Sequence, residues 1–446
     1  MSSPSKTFGM WSGVGLVIAN MVGAGVFLST GFMAQNLSAG YILVAWLIGA
    51  VLALCGAVAY AEVARLVPRG GGEYRYLSTL LHPGLGYLAG WASLLVGFSA
   101  PIAIDALAAG AFARAVIPSL EPRVVGAVLV LLLTGVHAFG LHVSSRAQNA
   151  LVAIKVALLV AFVSVAVAKG SWVWPSWTPP SPHESPWPDV VSSLFYIAFA
   201  FSGWNAAVYA SDEFHNPRRD VPRAMLIGCL SVGALYLVVN ALFVANLSPA
   251  EGTVVFNYDD FTSLKGQYEQ VTLGQAVMAH LMGSGAARVM SAVMLLLFIS
   301  AMSAMMLVGP RVYAAMASDG VLPRVLALKE GRPPTASVIL QGVLALALLF
   351  THDVRTVLSN VGAVLVFFAA LTVAGLFAAL VRAKTPEERP STLALAGAVI
   401  YVASAAFMLF QGFKNSLTLL AWVGVVAAVA LFAWAMTRRA GAPTPP

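Results

Sequence analysis

The chain has 446 residues, of which 59% are hydrophobic and only 10% are charged. Soluble domains usually contain about 25% charged residues, and a water-soluble particle of this length could not bury so much apolar surface. The composition therefore excludes an ordinary soluble enzyme and a disordered chain, and it predicts an integral membrane protein. The net charge of +7 does not by itself indicate a binding partner, because its interpretation depends on where the cations lie along the chain.

A membrane-spanning helix needs about 20 apolar residues, and charged side chains inside it are costly. Segments free of Asp, Glu, Lys and Arg, apart from two lysines in the fifth, predict twelve such helices. They cover residues 7–61 (two spans, separated near 36–40), 76–104, 124–145, 147–170, 190–211, 224–250, 289–310, 333–352, 356–381, 390–413 and 415–437. The connecting segments are too short to fold as soluble domains, so residues 1–446 are predicted to form a single transmembrane domain.

The positive charges of the chain are distributed unevenly between the two sides of these spans. Most of the 25 Lys and Arg residues fall in segments on the same side as the N-terminus. Positively charged segments stay in the cytoplasm, so we expect a multi-pass protein of the cell membrane (plasma or inner) with both termini cytoplasmic. The basic charge then reflects topology in a lipid bilayer, and no nucleic-acid partner is predicted.

Two predicted helices contain helix-breaking sequence near the middle of the membrane. The first span contains Gly23-Ala24-Gly25, and the sixth contains Ser202-Gly203. Small residues in membrane helices usually serve close packing between helices. However, each cluster falls in the first helix of a five-helix half of the chain, spans one to five and spans six to ten. Interruptions at corresponding positions of two halves indicate a transporter site between them.

An unwound helix in the membrane exposes backbone groups that can bind a small dipolar molecule. The amides that begin the second half of the first span favour a carboxylate, because the helix dipole is positive there. The carbonyls that end the first halves of both spans can accept hydrogen bonds from an ammonium group. An amino acid carries both groups, so the two interruptions together predict an amino acid site.

Several motifs resemble those of the amino acid permeases of the amino acid–polyamine–organocation (APC) superfamily, and the resemblance covers nearly the whole chain. They are residues 23–27, with Ala24 where the family usually has Ser, residues 60–77, residues 212–223 and residues 309–323. The sixth span, from Phe199 to Asn205, is similar to that of the L-type amino acid transporters. The resemblance implies an all-α, leucine-transporter-like fold, with two inverted five-helix repeats at about 9–168 and 189–382 and two extra helices at about 390–437.

The resemblance also implies which residues meet the substrate. A carboxylate would contact the amides around Gly23, Ala24 and Gly25, and an ammonium would contact carbonyls near Met21 and at Phe199 or Ser202. Phe199 would act as a gate over the substrate, and Asn205 would contact it. The implied substrate-binding residues are Met21, Gly23, Ala24, Gly25, Phe199, Ser202, Gly203 and Asn205.

The L-type transporters of animals pair with a glycoprotein through a cysteine in an outer loop. The two cysteines of this chain, Cys55 and Cys229, both lie inside long apolar segments. We therefore expect no disulfide-linked heavy chain.

Two charged residues lie unusually deep in predicted spans. Lys155 lies mid-way along the fifth span, and an ionisable residue at that depth is functional by default. The resemblance implies that this lysine replaces a sodium ion and ties span five to the broken first helix, which predicts sodium-independent transport. Asp105, in span three, is either a proton or substrate-sensing site, or a residue that reaches the outer vestibule or pairs with a cation such as Arg114.

Charged residues also cluster at the predicted cytoplasmic ends of the spans. Glu62 and Arg65 follow span two, and Glu213 and Arg218 follow span six. Opposite charges at these ends either form a cytoplasmic gate or are solvated charges that serve only topology, since single surface ion pairs contribute little.

The sequence therefore predicts a sodium-independent secondary active transporter of neutral L-amino acids that works by alternating access, as an exchanger or a proton symporter. Polyamines or other organic amines are the alternative substrates, because Asp105 favours cations. A channel or receptor would require a continuous polar pore or a ligand-binding domain. An enzyme would require a catalytic pair or a metal-binding motif within the spans. No enzymatic activity, metal or cofactor is predicted.

Overall fold

The computed structural model describes residues 8–34, 36–139, 141–170, 185–246, 273–327, 334–351 and 354–415, together with Gly424 and Ala428. Within these ranges every regular element is a helix, and Phe8 and Phe214 form one isolated bridge. The predicted all-helical class is therefore confirmed for the described part of the chain.

The first half of the chain forms eight α-helices and one π-helical segment. They are α1 (Met10–Met21), α2 (Ala24–Ala34), α3 (Ala39–Leu66), α4 (Gly72–Leu80), α5 (Pro83–Ala92), the π-helix Ser93–Phe98, α6 (Ser99–Val116), α7 (Pro122–Phe139) and α8 (Leu141–Lys169). The loop between α2 and α3 falls where the sequence predicts the separation of the first two spans.

The second half of the chain forms eight more α-helices. They are α9 (Trp187–Phe201), α10 (Ala206–Tyr209), α11 (Pro217–Asn246), α12 (Leu273–Met282), α13 (Ser284–Ser318), α14 (Thr335–Thr351), α15 (Val354–Arg382) and α16 (Thr392–Asn415). Across the described residues, nine helices are long and apolar enough to cross a membrane, and α9 and α14 are shorter apolar helices. The chain is thus a multi-pass membrane protein. The predicted twelfth span, 415–437, lies almost entirely outside the described residues.

The helices differ in how much of their surface the protein itself covers. The first span, α6 and α13 are mostly buried, whereas less than a third of α7 and of the described part of α8 is buried. Large apolar side chains point outward on these peripheral helices, for example Leu132, Phe139 and Val160. Water would penalise such a surface, but lipid tails are as apolar as these side chains. The outer helices therefore face the bilayer.

The two predicted broken spans lie at the centre of this bundle and pack against each other. Helix α1 contacts α10, and α2 contacts α9. The first half of one span thus packs on the second half of the other. Helix α11 covers this pair from one side and α13 contacts α1 from another. The centre of the protein is therefore built from interrupted helices.

Candidate substrate site

The first interruption separates α1 from α2. Helix α1 ends at Met21, Val22 adopts a non-helical conformation (φ −80°, ψ 88°), and α2 begins at Ala24. The amide of Gly23 donates to the carbonyl of Met21 over 3.0 Å. The break leaves carbonyls at the end of α1 and amides at the start of α2 outside the normal helical hydrogen bonding.

The second interruption separates α9 from α10 and comprises Ser202–Asn205. Gly203 has φ 99°, a left-handed conformation that favours glycine. A Cβ atom at Gly203 would lie 2.8 Å from the Cβ atom of Asn20, which belongs to the last turns of α1. The two breaks are therefore in direct contact, and glycine is required for that contact.

Lys155 of α8 closes part of the first break. Its Nζ atom donates to the carbonyl oxygens of Ala19 over 3.0 Å and of Val22 over 2.5 Å. The side chain is only 1% exposed, and it lies on the one face of α8 that is buried. An ammonium group has three donors and no acceptor, so it suits carbonyls that have lost their helical partners. Span five is thus tied to the broken first helix, as the resemblance implies.

Tyr236 of α11 bridges the two interrupted spans. Its hydroxyl lies 2.6 Å from the carbonyl oxygen of Met21 and 3.0 Å from that of Ala200. The carbonyl of Met21 therefore already has two neighbouring donors, the amide of Gly23 and this hydroxyl. Sequence reasoning missed Tyr236. A hydroxyl in the middle of an apolar span was the available signal.

Asp105 of α6 lies at the first break. It is buried, and a Cβ atom at Gly23 would lie 3.2 Å from its Oδ2 atom. The carboxylate is also close enough to act electrostatically on Lys155. The structure therefore places Asp105 beside the first break and the buried lysine.

The sequence left two explanations for Gly25 as alternatives, free backbone amides at a helix break or close packing between helices, and the structure supports both. It lies in the first turn of α2, where backbone amides have no intrahelical acceptor. A Cβ atom at this position would lie 2.4 Å from the Cα atom of Ala200, so the backbones of α2 and α9 are in contact. Ala24 opens the same turn. The small residues thus serve both the break and close helix packing.

A cavity lies beside the second break. Ser202, Gly203 and Asn205, three of the predicted binding residues, line it together with Asn20 of α1. Aromatic residues form much of the remaining wall, namely Phe98, Phe201, Trp204, Tyr209, Phe368 and Tyr401.

The other predicted binding residues do not line this cavity. Met21, Gly23 and Gly25 are buried behind the second break, and Phe199 is buried in the last turn of α9. Gly362 of α15 lies close to Phe199, since a Cβ atom there would be 3.7 Å from the Cβ atom of the phenylalanine. The cavity is lined from both sides of the break, by Ala198 and Phe201 of α9 and by Ala206 and Tyr209 of α10, whereas Phe199 does not line it.

A hydrogen-bonded cluster joins the cavity wall to α4. The Nδ2 atom of Asn205 donates to Oε1 of Glu73 over 2.7 Å, and the hydroxyl of Tyr209 lies 2.9 Å from Oε2. Asn205 also donates to the Tyr209 oxygen over 2.9 Å. The sequence could not indicate this cluster, because its members are 132 and 136 residues apart.

The predicted gate residues occupy one end of the bundle, with partners that the sequence did not specify. Glu62 and Arg65 pair with each other within α3. Glu213 instead pairs with Arg311 of α13, with 2.5 Å between Oε1 and Nε. Arg218 is exposed and takes no part in either pair. Among the predicted gate residues, the ion pair that links different elements is therefore Glu213–Arg311.

A second ion pair at this end was also missed. Arg75 of α4 lies 2.8 Å from Asp319, which follows α13, and the hydroxyl of Tyr74 donates to the same carboxylate over 2.7 Å. The two pairs therefore connect α13 and the residue after it to α4 and to the short turn that follows α10. In the described part of the chain, no group of His, Cys, Asp and Glu is arranged to hold a metal ion.

Interrupted helices that meet beside a cavity, inside a bundle of apolar helices, are typical of membrane transporters. Residues 8–444 match the family model described as amino acid permease. The chain belongs to the amino acid permease family, as the motifs predict.

Curated relatives agree with this assignment. The chain is similar to the large neutral amino acids transporter small subunit 2 of Rattus norvegicus, with 28% identity over 424 residues that cover 91% of this chain and 75% of the relative. It is 24% identical to the Asc-type amino acid transporter 1 of Mus musculus, covering 94% of this chain and 79% of the relative. It is 25% identical to the b(0,+)-type amino acid transporter 1 of Mus musculus, covering 92% and 82%.

Proposed function

We propose that this permease transports neutral L-amino acids across the cell membrane by alternating access, without sodium. The observation that carries the proposal is the contact between the two helix breaks beside the cavity. A substrate that enters this contact from the cavity would meet the backbone of the second break and the first-turn amides of α2, including that of Gly25, which is buried in this conformation. The relative named a large neutral amino acids transporter supports the substrate class.

The two ends of an amino acid would bind different breaks. The amides of Ala24 and Gly25 receive the carboxylate, because they lie in the first turn of a helix, at its positive end. The ammonium binds carbonyls of the second break around Ser202, since the Met21 carbonyl already has two neighbouring donors. Asn205 contacts the substrate from the cavity wall. The aromatic residues around the cavity suit an uncharged side chain.

Lys155 takes the place of a sodium ion in this proposal. Its ammonium supplies one positive charge and several donors to the carbonyls that end α1. A metal ion is then unnecessary for the stability of the break. Transport should therefore proceed at the same rate in sodium-free and sodium-containing buffer.

The proposed topology follows the family pattern. Ten of the twelve spans would form two inverted five-helix repeats, at about 9–168 and 189–382, and two extra helices would follow at about 390–437. Both termini would be cytoplasmic. The ion pairs Glu213–Arg311 and Arg75–Asp319 would then lie on the cytoplasmic side and hold the inner gate. Phe199, which is buried in the last turn of α9 and lies close to Gly362 of α15, would close the outer path.

A larger subunit, of the kind implied by the relative named a small subunit, would have to bind without an intermolecular disulfide. Both cysteines lie within helices, Cys55 in α3 and Cys229 in α11, and Cys229 is buried.

Counterflow in proteoliposomes tests the proposed function. Purified permease is reconstituted with a neutral L-amino acid inside, and uptake of the labelled compound is followed with and without sodium. We expect saturable uptake that neutral L-amino acids inhibit, and that D-enantiomers and polyamines do not. Inhibition by polyamines alone would replace the amino acid proposal with the organic amine alternative, and a steep rise with sodium would overturn the function of Lys155.

Phe199→Ala tests the proposed gate. The variant should fold at normal yield but lose most counterflow, because the outer path no longer closes over the substrate. The measurement is uptake per reconstituted molecule. Unchanged uptake would remove Phe199 as the gate.

A further inference from the structure

Glu73 is held against the second break by a loop of glycines. It lies in the first turn of α4, directly after Gly71 (φ 110°) and Gly72 (φ 58°). A Cβ atom at Gly72 would lie 2.1 Å from the Cε1 atom of Tyr209. Glycine is therefore required for the loop to reach α10, and the loop delivers a carboxyl group to the cavity wall.

The surroundings of this carboxyl group are polar but uncharged. Its hydrogen-bond donors are the amide of Asn205 and the hydroxyl of Tyr209. The titratable groups that face it from neighbouring elements are Tyr60 of α3, Tyr76 of α4, Tyr209 of α10 and Tyr401 of α16, and Asp212 lies next to Tyr76. No cation among the described residues is part of this group.

A buried carboxylate without a cationic partner is costly. Burial accordingly raises the pKa of Glu73, although hydrogen-bonding groups offset part of the effect, first Tyr60 and the backbone amide of Glu73 and then Tyr209 and Asn205. The contacts suit both protonation states. As a carboxylate, Glu73 accepts from Asn205 and Tyr209. As a neutral acid, Oε1 still accepts from Asn205 while the proton on Oε2 is donated to the Tyr209 oxygen 2.9 Å away.

We propose that Glu73 is a proton-binding site of the permease and couples proton uptake to the position of the second helix break. The proton is taken from water in the cavity and returned to it, since Glu73 lines the cavity. Asn205 precedes α10 and Tyr209 ends it. A change in the protonation of Glu73 therefore changes the hydrogen bonds at both ends of this short helix. Protonation keeps α4 and α10 in contact, and loss of the proton favours a hydrated, separated arrangement.

Proton binding can be tested without any substrate. Infrared difference spectra of the purified permease are recorded during a pH titration, for wild type, Glu73→Gln and Glu387→Gln. Glu387 is an exposed glutamate of the loop before α16 and serves as the matched control. We expect a carboxylic acid carbonyl band that disappears as the pH rises, present in wild type and Glu387→Gln and absent in Glu73→Gln. The same band in all three proteins would overturn the proposal.

The coupling rests on the proposed transport function and is tested by the pH profile of counterflow. We expect wild type and Glu387→Gln to share a pH-dependent rate, and Glu73→Gln to transport at a rate that no longer changes with pH. A wild-type profile in Glu73→Gln would overturn the coupling. If Glu73→Gln folds but does not transport, the substrate-induced rise in Tm is measured across pH. Loss of its pH dependence supports the coupling, and retention overturns it. Absence of transport in wild type would contradict the transport function but not the infrared result.

Discussion

The two helix breaks at the centre of the permease are stabilised in different ways. The first break is closed by side chains from other helices, the ammonium of Lys155 and the hydroxyl of Tyr236. The second break is closed by its own turn at Gly203, and Asn205 links it to Glu73 of α4. The first break is thus fixed from outside, whereas the second lines the cavity and can respond to what binds there.

The difference follows from the chemistry of the exposed backbone groups. The first break exposes carbonyl oxygens next to Asp105. These oxygens and the carboxylate together form a negative electrostatic environment that stabilises a buried cation. A charge in the membrane interior is costly and persists only with such partners. At the second break, the hydrogen-bond donors to Glu73 are neutral groups, the amide of Asn205 and the hydroxyl of Tyr209. The comparison predicts that loss of Lys155 from the first break impairs transport more than loss of the Glu73 carboxyl group beside the second break.

Lys155→Met should have the largest effect. It keeps the length of the side chain but removes the donor from the carbonyls of Ala19 and Val22. Each buried group that loses its partner costs about 1–3 kcal/mol. We expect counterflow to fall by more than about tenfold, since a deficit of 1.4 kcal/mol already corresponds to tenfold. The control is Lys169→Met, at the exposed end of the same helix. Wild-type uptake in Lys155→Met would contradict the comparison.

Gly203→Ala should destabilise the second break. The new methyl group combines a left-handed φ with a 2.8 Å approach to Asn20, and such strain costs roughly 1–3 kcal/mol. Gly135→Ala is the matched control, because no heavy atom lies within 4 Å of that position in α7, and alanine there should stabilise by up to about 1 kcal/mol. Thermal unfolding in detergent measures both. Shifts of the same sign would contradict the geometry of the break.

Tyr236→Phe should have a smaller effect, because it removes one hydroxyl and keeps the ring. A net loss of about 1 kcal/mol is typical for one hydrogen bond, and we expect a several-fold fall in counterflow with a slightly lower Tm. Tyr196→Phe is the control, since its ring packs on Phe32 while no hydrogen bond of its hydroxyl is present in the described part of the chain. Equal activity of the two variants would show that the bridge between the spans is unnecessary.

Glu73→Gln should give the smallest effect on stability, with a defined dependence on pH. Because burial raises the pKa of Glu73, the folded protein retains this proton to a higher pH than the unfolded chain. Wild type therefore loses stability as the pH rises above the ordinary glutamate pKa, and the glutamine variant does not. The Tm of Glu73→Gln minus that of wild type should increase with pH. A difference that decreases with pH would contradict the raised pKa.

The sequence was sufficient for features that depend on local signals. Gly23, Gly203 and Lys155 each stand out against an apolar span, so the two breaks and the buried lysine could be predicted from depth and helix propensity. Long apolar segments likewise predicted the spans that the described residues contain. The family resemblance was needed to assign the lysine to the first helix.

The remaining parts of the site depend on long-range packing. The contact of Glu73 with Asn205 and the pair Glu213–Arg311 join residues 132 and 98 positions apart, and many other charges could have been their partners. The hydroxyl of Tyr236 is a polar group within an apolar span, but the sequence does not show which carbonyls it binds. Those partners appear only when α11 is packed against both breaks. Such pairings become visible only in three dimensions.

The central claim is that the amides after the first break bind the substrate carboxylate, and solid-state NMR can measure this directly. Permease with ¹⁵N-labelled glycine is saturated with a neutral L-amino acid that carries ¹³C in its carboxyl group, and dipolar dephasing between the two labels is recorded. The amide of Gly25 should dephase the bound carboxyl carbon at hydrogen-bond range, about 2.9 Å between nitrogen and oxygen, and excess unlabelled amino acid should remove the signal. A bound amino acid whose carboxyl carbon shows no dephasing by glycine nitrogen would contradict the account.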